Sequence, residues 1–129
     1  MSVRKATING AQNDERERVV TSALCKAVQK LEFTQSELAD ILGVSKSTAS
    51  RIMKGTHILK EGQKDYEIAV IFLRIFRSLD AITGGEDRVN LNWMRNENMA
   101  LSGVPAAMVK NLTGLMNVVT YLDAQRAKI

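Results

Sequence analysis

Between Asp14 and Leu31 the apolar residues Val19, Val20, Ala23, Leu24, Ala27, Val28 and Leu31 recur every three or four positions. That spacing lays one stripe along an amphipathic helix. Asp14, Glu15 and Glu17 place negative charge in its first turn, where the helix dipole favours it. Residues 1–13 show no such period and read as a loose arm. After Leu31 the run Thr34-Gln35-Ser36-Glu37 has the form of a capping box, in which the Thr34 hydroxyl and the Glu37 carboxylate each satisfy a free backbone N–H. The helix it opens is short, because Gly43 stops it. Ser45 offers a fresh N-cap for a third helix, Lys46 to about Lys54, ended by Gly55. Residues 56–63 form a connection.

The second half begins with a long helix, Gln63 to Ile82. Tyr66, Ile68, Phe72, Leu73, Ile75, Phe76 and Leu79 leave only a narrow polar strip through Glu67, Arg74 and Ser78. A helix apolar on most sides must be covered on most sides, by its own chain or by a partner. The load exceeds what a small core is expected to cover, so Phe72 and Phe76 are expected at a self-complementary interface. Gly84-Gly85 breaks the helix, helical patches follow at about 86–94 and 105–111, and a last helix at about 114–127 carries Leu115, Val118, Val119 and Leu122 on one face. Pro105 suits a first helical position. No strand pattern is present. The expected architecture is all-α: a helix-turn-helix bundle over residues 1–62, then a long helix and a small helical C-terminal region over 63–129.

Composition narrows the function. The chain has 129 residues, 45% hydrophobic and 25% charged, which permits a packed core and excludes wholesale disorder. The longest apolar run, Ile68 to Leu73, is far short of the roughly 20 residues a membrane span needs. The polar start resembles no secretion signal, and a single cysteine, Cys25, cannot form an internal disulfide, so a cytoplasmic location is expected. With His57 and Cys25 the only residues of their kinds, neither a histidine-based triad nor a zinc cluster can be assembled within one chain. Gly84-Gly85 lacks the lysine and spacing of a phosphate loop. No enzyme, metal or cofactor is expected. The net charge of +4 is mild, but Lys46 to Lys54 holds three basic residues and no acidic one. A positive strip on one short element is a better nucleic-acid signal than the global balance.

That element belongs to a constrained pattern. With Gln35 as position one, Leu38, Ala39, Leu42, Val44, Ala49 and Ile52 fall at positions four, five, eight, ten, fifteen and eighteen, and Gly43 falls at nine. A helix-turn-helix needs apolar side chains at the core-facing sites, a small one where the helices cross, and a glycine at the turn. On a helix beginning at Lys46, Ala49 and Ile52 point inward and leave Lys46, Ser47, Ser50, Arg51 and Lys54 outward. Arg51 can grip a guanine edge with two hydrogen bonds, and Lys54 suits a phosphate contact.

The stretch "TQSELADILGVSKSTASRIMKG" resembles the Xre and lambda-repressor family of helix-turn-helix proteins. The resemblance implies a third helix lying in the major groove of operator DNA, dimers on near-palindromic sites, base-reading positions at Lys46, Ser47 and Arg51, and a role for Gln35 in bracing the phosphate backbone and the first recognition side chain. Ser45, Thr48 and Ser50 are neighbouring candidates. Residues 90–122 resemble the toxin-binding region of the MbcA, ParS and Xre antitoxins through Trp93, the Asn96 to Asn98 turn, Leu101, Gly103, Pro105, Gly114, Leu115, Val118 and Leu122. Met94 stands where that family has leucine, and Val104 where it commonly has a hydroxyl residue. This resemblance implies a cognate toxin that consumes NAD or transfers ADP-ribose. Trp93, Pro105, Leu115, Val118 and Leu122 are the candidates for partner binding or oligomerisation. The expected function is a dimeric or higher-order DNA-binding regulator; the alternative is an antitoxin that neutralises a RES or ADP-ribosyl-type toxin and regulates its own operon.

Overall fold

The long apolar helix is the wall against which the rest of the chain is built. In a computed structural model that describes residues 2–128, with side chains from Gly10 onward, the order is α1 (Ser2–Lys30), α2 (Gln35–Leu42), α3 (Lys46–Lys54), α4 (Lys64–Thr83), α5 (Asp87–Arg95), α6 (Pro105–Met108) and α7 (Leu112–Arg126). Among the described residues there is no strand, only an isolated antiparallel bridge between Asn98 and Gly103. No helix described is long and apolar enough to cross a membrane. α4 packs against α1, α2, α5 and α7. Phe72 and Ile75 at its centre are fully buried, in one continuous core with Leu24, Leu38, Ile52 and Val118. Most of the apolar surface of α4 is therefore covered by the chain itself, with Val70 and Ile82 left exposed. Phe72 is withdrawn from any partner surface, and Phe76 is half-buried with the Lys30 ammonium 6.0 Å from its ring centre.

Two elements differ from their sequence expectation. α1 starts at Ser2, so the segment read as a loose arm is helical backbone. Once a helix is nucleated, each further residue adds a bond at little cost, and residues 2–13 contain no proline to stop it. In the C-terminal half, the helix expected at 105–111 lasts only from Pro105 to Met108. The chain then restarts at Asn111, whose side chain accepts from the Gly114 N–H at 2.8 Å and opens α7. The close crossing of α6 and α7 depends on Gly114. A Cβ there would lie 2.0 Å from the Met108 carbonyl oxygen.

The connection between α3 and α4 is tied down on α1. The Thr21 hydroxyl donates to the Glu17 carbonyl at 2.7 Å and accepts from the Leu59 N–H at 3.0 Å. The Glu17 carboxylate, nearly buried, accepts from the Glu61 N–H at 2.7 Å and pairs with Lys60 at 3.6 Å. With Leu59 inserted into the core, residues 55–63 form an ordered strap.

The two halves are joined at a second polar node. Arg95, the last residue of α5, reaches across to the start of α2. Its guanidinium donates to both Glu37 carboxylate oxygens at 3.1 and 3.3 Å, and to the carbonyls of Leu31 and Glu32 at 3.2 and 2.7 Å. Those carbonyls lie at the frayed end of α1, where Glu32 turns the chain with φ of 55°. They would otherwise lack intrahelical partners. The same guanidinium lies 4.5 Å from the Phe33 ring centre, and Phe33 meets Phe72 edge-on at 5.6 Å. Lys110, between α6 and α7, adds a third contact to Glu37 at 3.3 Å. Burial pushes the Glu37 carboxyl up, but donors from Arg95, the Thr34 backbone and Lys110 overcome this and hold it down to about 2.

Two outcomes are expected. Gly114→Ala drives a methyl group into backbone, and overpacking of this kind should lower the unfolding free energy by roughly 1–3 kcal/mol or more in urea titration. Glu37→Gln keeps the capping box but discards the charge. Because folding lowers the Glu37 pKa from 4.5 to about 2, the wild-type advantage over Glu37→Gln is complete above pH 4.5 and drains away as the pH falls towards 2. Urea midpoints of the two proteins across that interval check it.

Candidate nucleic-acid interface

The turn between α2 and α3 is set by three local devices. Thr34 caps α2, accepting from the Glu37 N–H at 3.0 Å while Glu37 accepts from the Thr34 N–H at 3.0 Å. Gly43 ends α2 with φ of 69°, a left-handed conformation that costs other L residues dearly, and the Val44 N–H closes on the Ala39 carbonyl at 3.0 Å. Ser45 then caps α3, accepting from the Thr48 N–H at 3.0 Å. Ala39, Leu42, Ala49 and Ile52 are buried as the spacing requires, so α3 is fixed by its inner face alone. Gly55 ends it, and the Thr56 N–H reaches back to the Arg51 carbonyl at 3.0 Å.

The outer face is open. Gln35, Ser45, Lys46, Ser47, Arg51 and Lys54 are exposed, and Thr48 and Ser50 are half-buried. Among the described residues neither Lys46, Arg51 nor Lys54 makes an ion pair, whereas Arg74, Arg95 and Lys110 each hold a carboxylate. Ser45, Thr48 and Arg51 are brought together. The Ser45 hydroxyl donates to Thr48 Oγ1 at 3.0 Å, and the Arg51 guanidinium donates to the same oxygen at 3.1 Å. The N-cap thus does more than begin the helix. It holds Thr48, and Thr48 holds the exposed guanidinium one turn further along. An α-helix of this width enters the major groove of duplex DNA, where a guanidinium and hydroxyls find base-edge acceptors and ammonium groups find phosphates.

The candidates of the second half are placed differently from expectation. Pro105, Leu115, Val118 and Leu122 are buried in the chain's own core, as Phe72 is. None of the five is available to a partner. The reason is that α4 and α7 each present an apolar face to the other, and periodicity alone does not tell an internal neighbour from a foreign one. Trp93 is half-buried and stacks on Tyr121, with ring centres 6.5 Å apart. The apolar side chains left in solvent are others, among them Met99 at 94% exposure, in the turn bridged by Asn98 and Gly103, and Leu112 and Met116, one turn apart on α7. The i, i+4 spacing of Leu112 and Met116, off the Leu115–Val118–Leu122 stripe, is the signal that could have found them.

Glu37, Arg95 and Lys110 also escaped the sequence reading. Glu37 was legible as a cap, but nothing local indicates that a capping carboxylate also receives two cations from 58 residues and more downstream.

Two family models match the chain. One, described as an antitoxin Xre-like helix-turn-helix domain, covers residues 12–61 and contains all the exposed polar residues of α3. The other, described as an antitoxin Xre/MbcA/ParS C-terminal toxin-binding domain, covers residues 78–128 and contains Trp93, Met99, Leu112 and Met116. No curated protein matches the chain.

Proposed function

We propose, for a chain whose residues 12–61 match an antitoxin Xre-like helix-turn-helix domain and whose residues 78–128 match an antitoxin Xre/MbcA/ParS C-terminal toxin-binding domain, that it is a sequence-specific DNA-binding regulator in which α3 reads the major groove. The observation that carries this reading is the acid-free outer face of α3, open to solvent and held in place wholly from its inner side. Arg51, steadied by Thr48, reads a base edge together with Lys46 and Ser47. Lys54 meets phosphate, and Gln35 braces the backbone from the first turn of α2. Ser45, Thr48 and Ser50 line the same face. The labour divides near residue 62, with DNA served by 1–62 and partners by 63–129. Near-palindromic operators are read by symmetric pairs, so the working form is a dimer or a higher oligomer. The exposed Val19 and Val70, rather than the buried Phe72, supply apolar surface for self-association.

The second function is toxin neutralisation, favoured by the match of residues 78–128 to a toxin-binding family model and by the exposed Met99, Leu112 and Met116 within it. The toxin class that the resemblance implies is a RES or ADP-ribosyl-type enzyme. Co-purification of the chain with the product of a neighbouring reading frame tests this, and its absence while operator binding persists leaves the stand-alone regulator.

Gel-shift titrations with the DNA upstream of its own gene test the DNA reading. Arg51→Ala should cost the preferred site about 1–3 kcal/mol, roughly 5- to 150-fold, with little change on a scrambled duplex. Thr48→Val should lose a smaller part of the same preference. Lys54→Ala should weaken both duplexes alike and reduce the slope of log affinity against log salt by about one. Equal loss of preference from Arg51→Ala and Lys54→Ala would contradict the assignment.

A further inference from the structure

The Glu37 node lies at the end of the helix that carries Gln35, not at the end of α3. The first turn of α2 begins at Gln35, and its geometry depends on the Thr34–Glu37 capping box. Glu37 is half-buried, with 18% of its side chain exposed, and both its oxygens accept from Arg95. One of them also accepts from the Thr34 N–H, and the other pairs with Lys110. The guanidinium that grips Glu37 holds the last carbonyls of α1 as well, so the α1–α2 corner is clamped from both strands of the turn by one side chain. None of these cations comes from the segment matched as a helix-turn-helix domain, residues 12–61. Arg95 ends α5, and Lys110 sits in the joint between α6 and α7. A hydrogen-bonded ion pair of this kind, with two planar forks and two carbonyls, fixes orientation as well as distance.

We infer that Arg95, supported by Lys110, is a positioning residue for DNA binding: the C-terminal half holds the first turn of α2, and with it Gln35, in register for the phosphate backbone. The inference rests on the proposed DNA reading for its consequence, but the clamp itself is a property of the folded chain. Removing the clamp leaves α3 and its caps untouched. The loss is therefore confined to the contacts made from α2, and it falls on affinity for all duplexes rather than on base preference. Arg51 and Lys46 still choose the sequence; Gln35 no longer meets it squarely.

The experiment compares wild type, Arg95→Met, Glu37→Gln and Val119→Ala in the full chain. Val119 is buried on α7, away from α2, and serves as a destabilised control. Hydrogen exchange of the amides from 35 to 42 is read first, in the absence of DNA. Arg95→Met and Glu37→Gln should exchange about tenfold faster there, while amides of α7 stay unchanged. Glu37→Gln keeps the cap, so it remains informative if Arg95→Met folds poorly. Fluorescence anisotropy with a duplex from upstream of its own gene, and with a scrambled duplex, is read second. The clamp variants should lose about five- to tenfold in affinity for both duplexes with their ratio preserved. Unchanged exchange in both clamp variants overturns the inference, and so does an equal affinity loss in Val119→Ala. If wild type shows no preference between the duplexes, the DNA reading fails, and the exchange data still decide whether the clamp holds α2.

Discussion

One guanidinium closes the structure. Arg95 sits where the end of α1, the start of α2 and the C-terminal helices meet, and it answers four acceptors there at once. Two are carbonyls left over from α1, and two are the oxygens of a carboxylate already used to cap α2. A lysine could neutralise the charge but could not fork towards both sets, because its ammonium is a point rather than a plane. The ring of Phe33 beneath the guanidinium carries the node into the core through its edge contact with Phe72. Polar closure and apolar packing thus meet at Phe33.

The outer face of α3 follows the opposite logic. There every structural demand is met from within: Ser45 caps α3, Gly55 ends it, and Ala49 and Ile52 anchor it. No outward side chain is needed to hold the helix, so Lys46, Ser47, Arg51 and Lys54 are free for a ligand. The exception is the Ser45–Thr48–Arg51 chain, which restricts a flexible guanidinium. A side chain already ordered loses less freedom on binding.

Between these faces lies α4. The two family matches stop at residue 61 and resume at 78, yet the core runs through the gap without interruption. Ala69, Phe72 and Ile75 serve both halves as a common wall. The matched segments are therefore units of sequence, while the unit of folding includes the helix between them. With α4 shared and Arg95 spanning the corner, a disturbance of the C-terminal helices reaches the first turn of α2 through packed side chains and a short polar bridge.

Local chemistry was legible in the chain. The capping box at Thr34, the glycine at 43, the serine cap at 45 and the alternation of inward and outward residues on α3 are each fixed by neighbours three or four positions away, and the structure holds them where the spacing put them. The all-α class, and the bounds of α2, α3 and α4 to within a residue, came from the same short-range rules. The extension of α1 to Ser2 and the brevity of α6 were less legible, since neither segment carries an apolar period or a strong stop signal that fixes its end. What covers an apolar face was not legible at all. Phe72, Leu115, Val118 and Leu122 bear the same pattern whether they meet a second molecule or α4 and α7 meet each other, and only the crossing of those helices decided for the interior. The node at Glu37 was likewise settled by tertiary structure, because a charge knows its partner through space, and the 58 residues from Glu37 to Arg95 carry no period that would bring the two together.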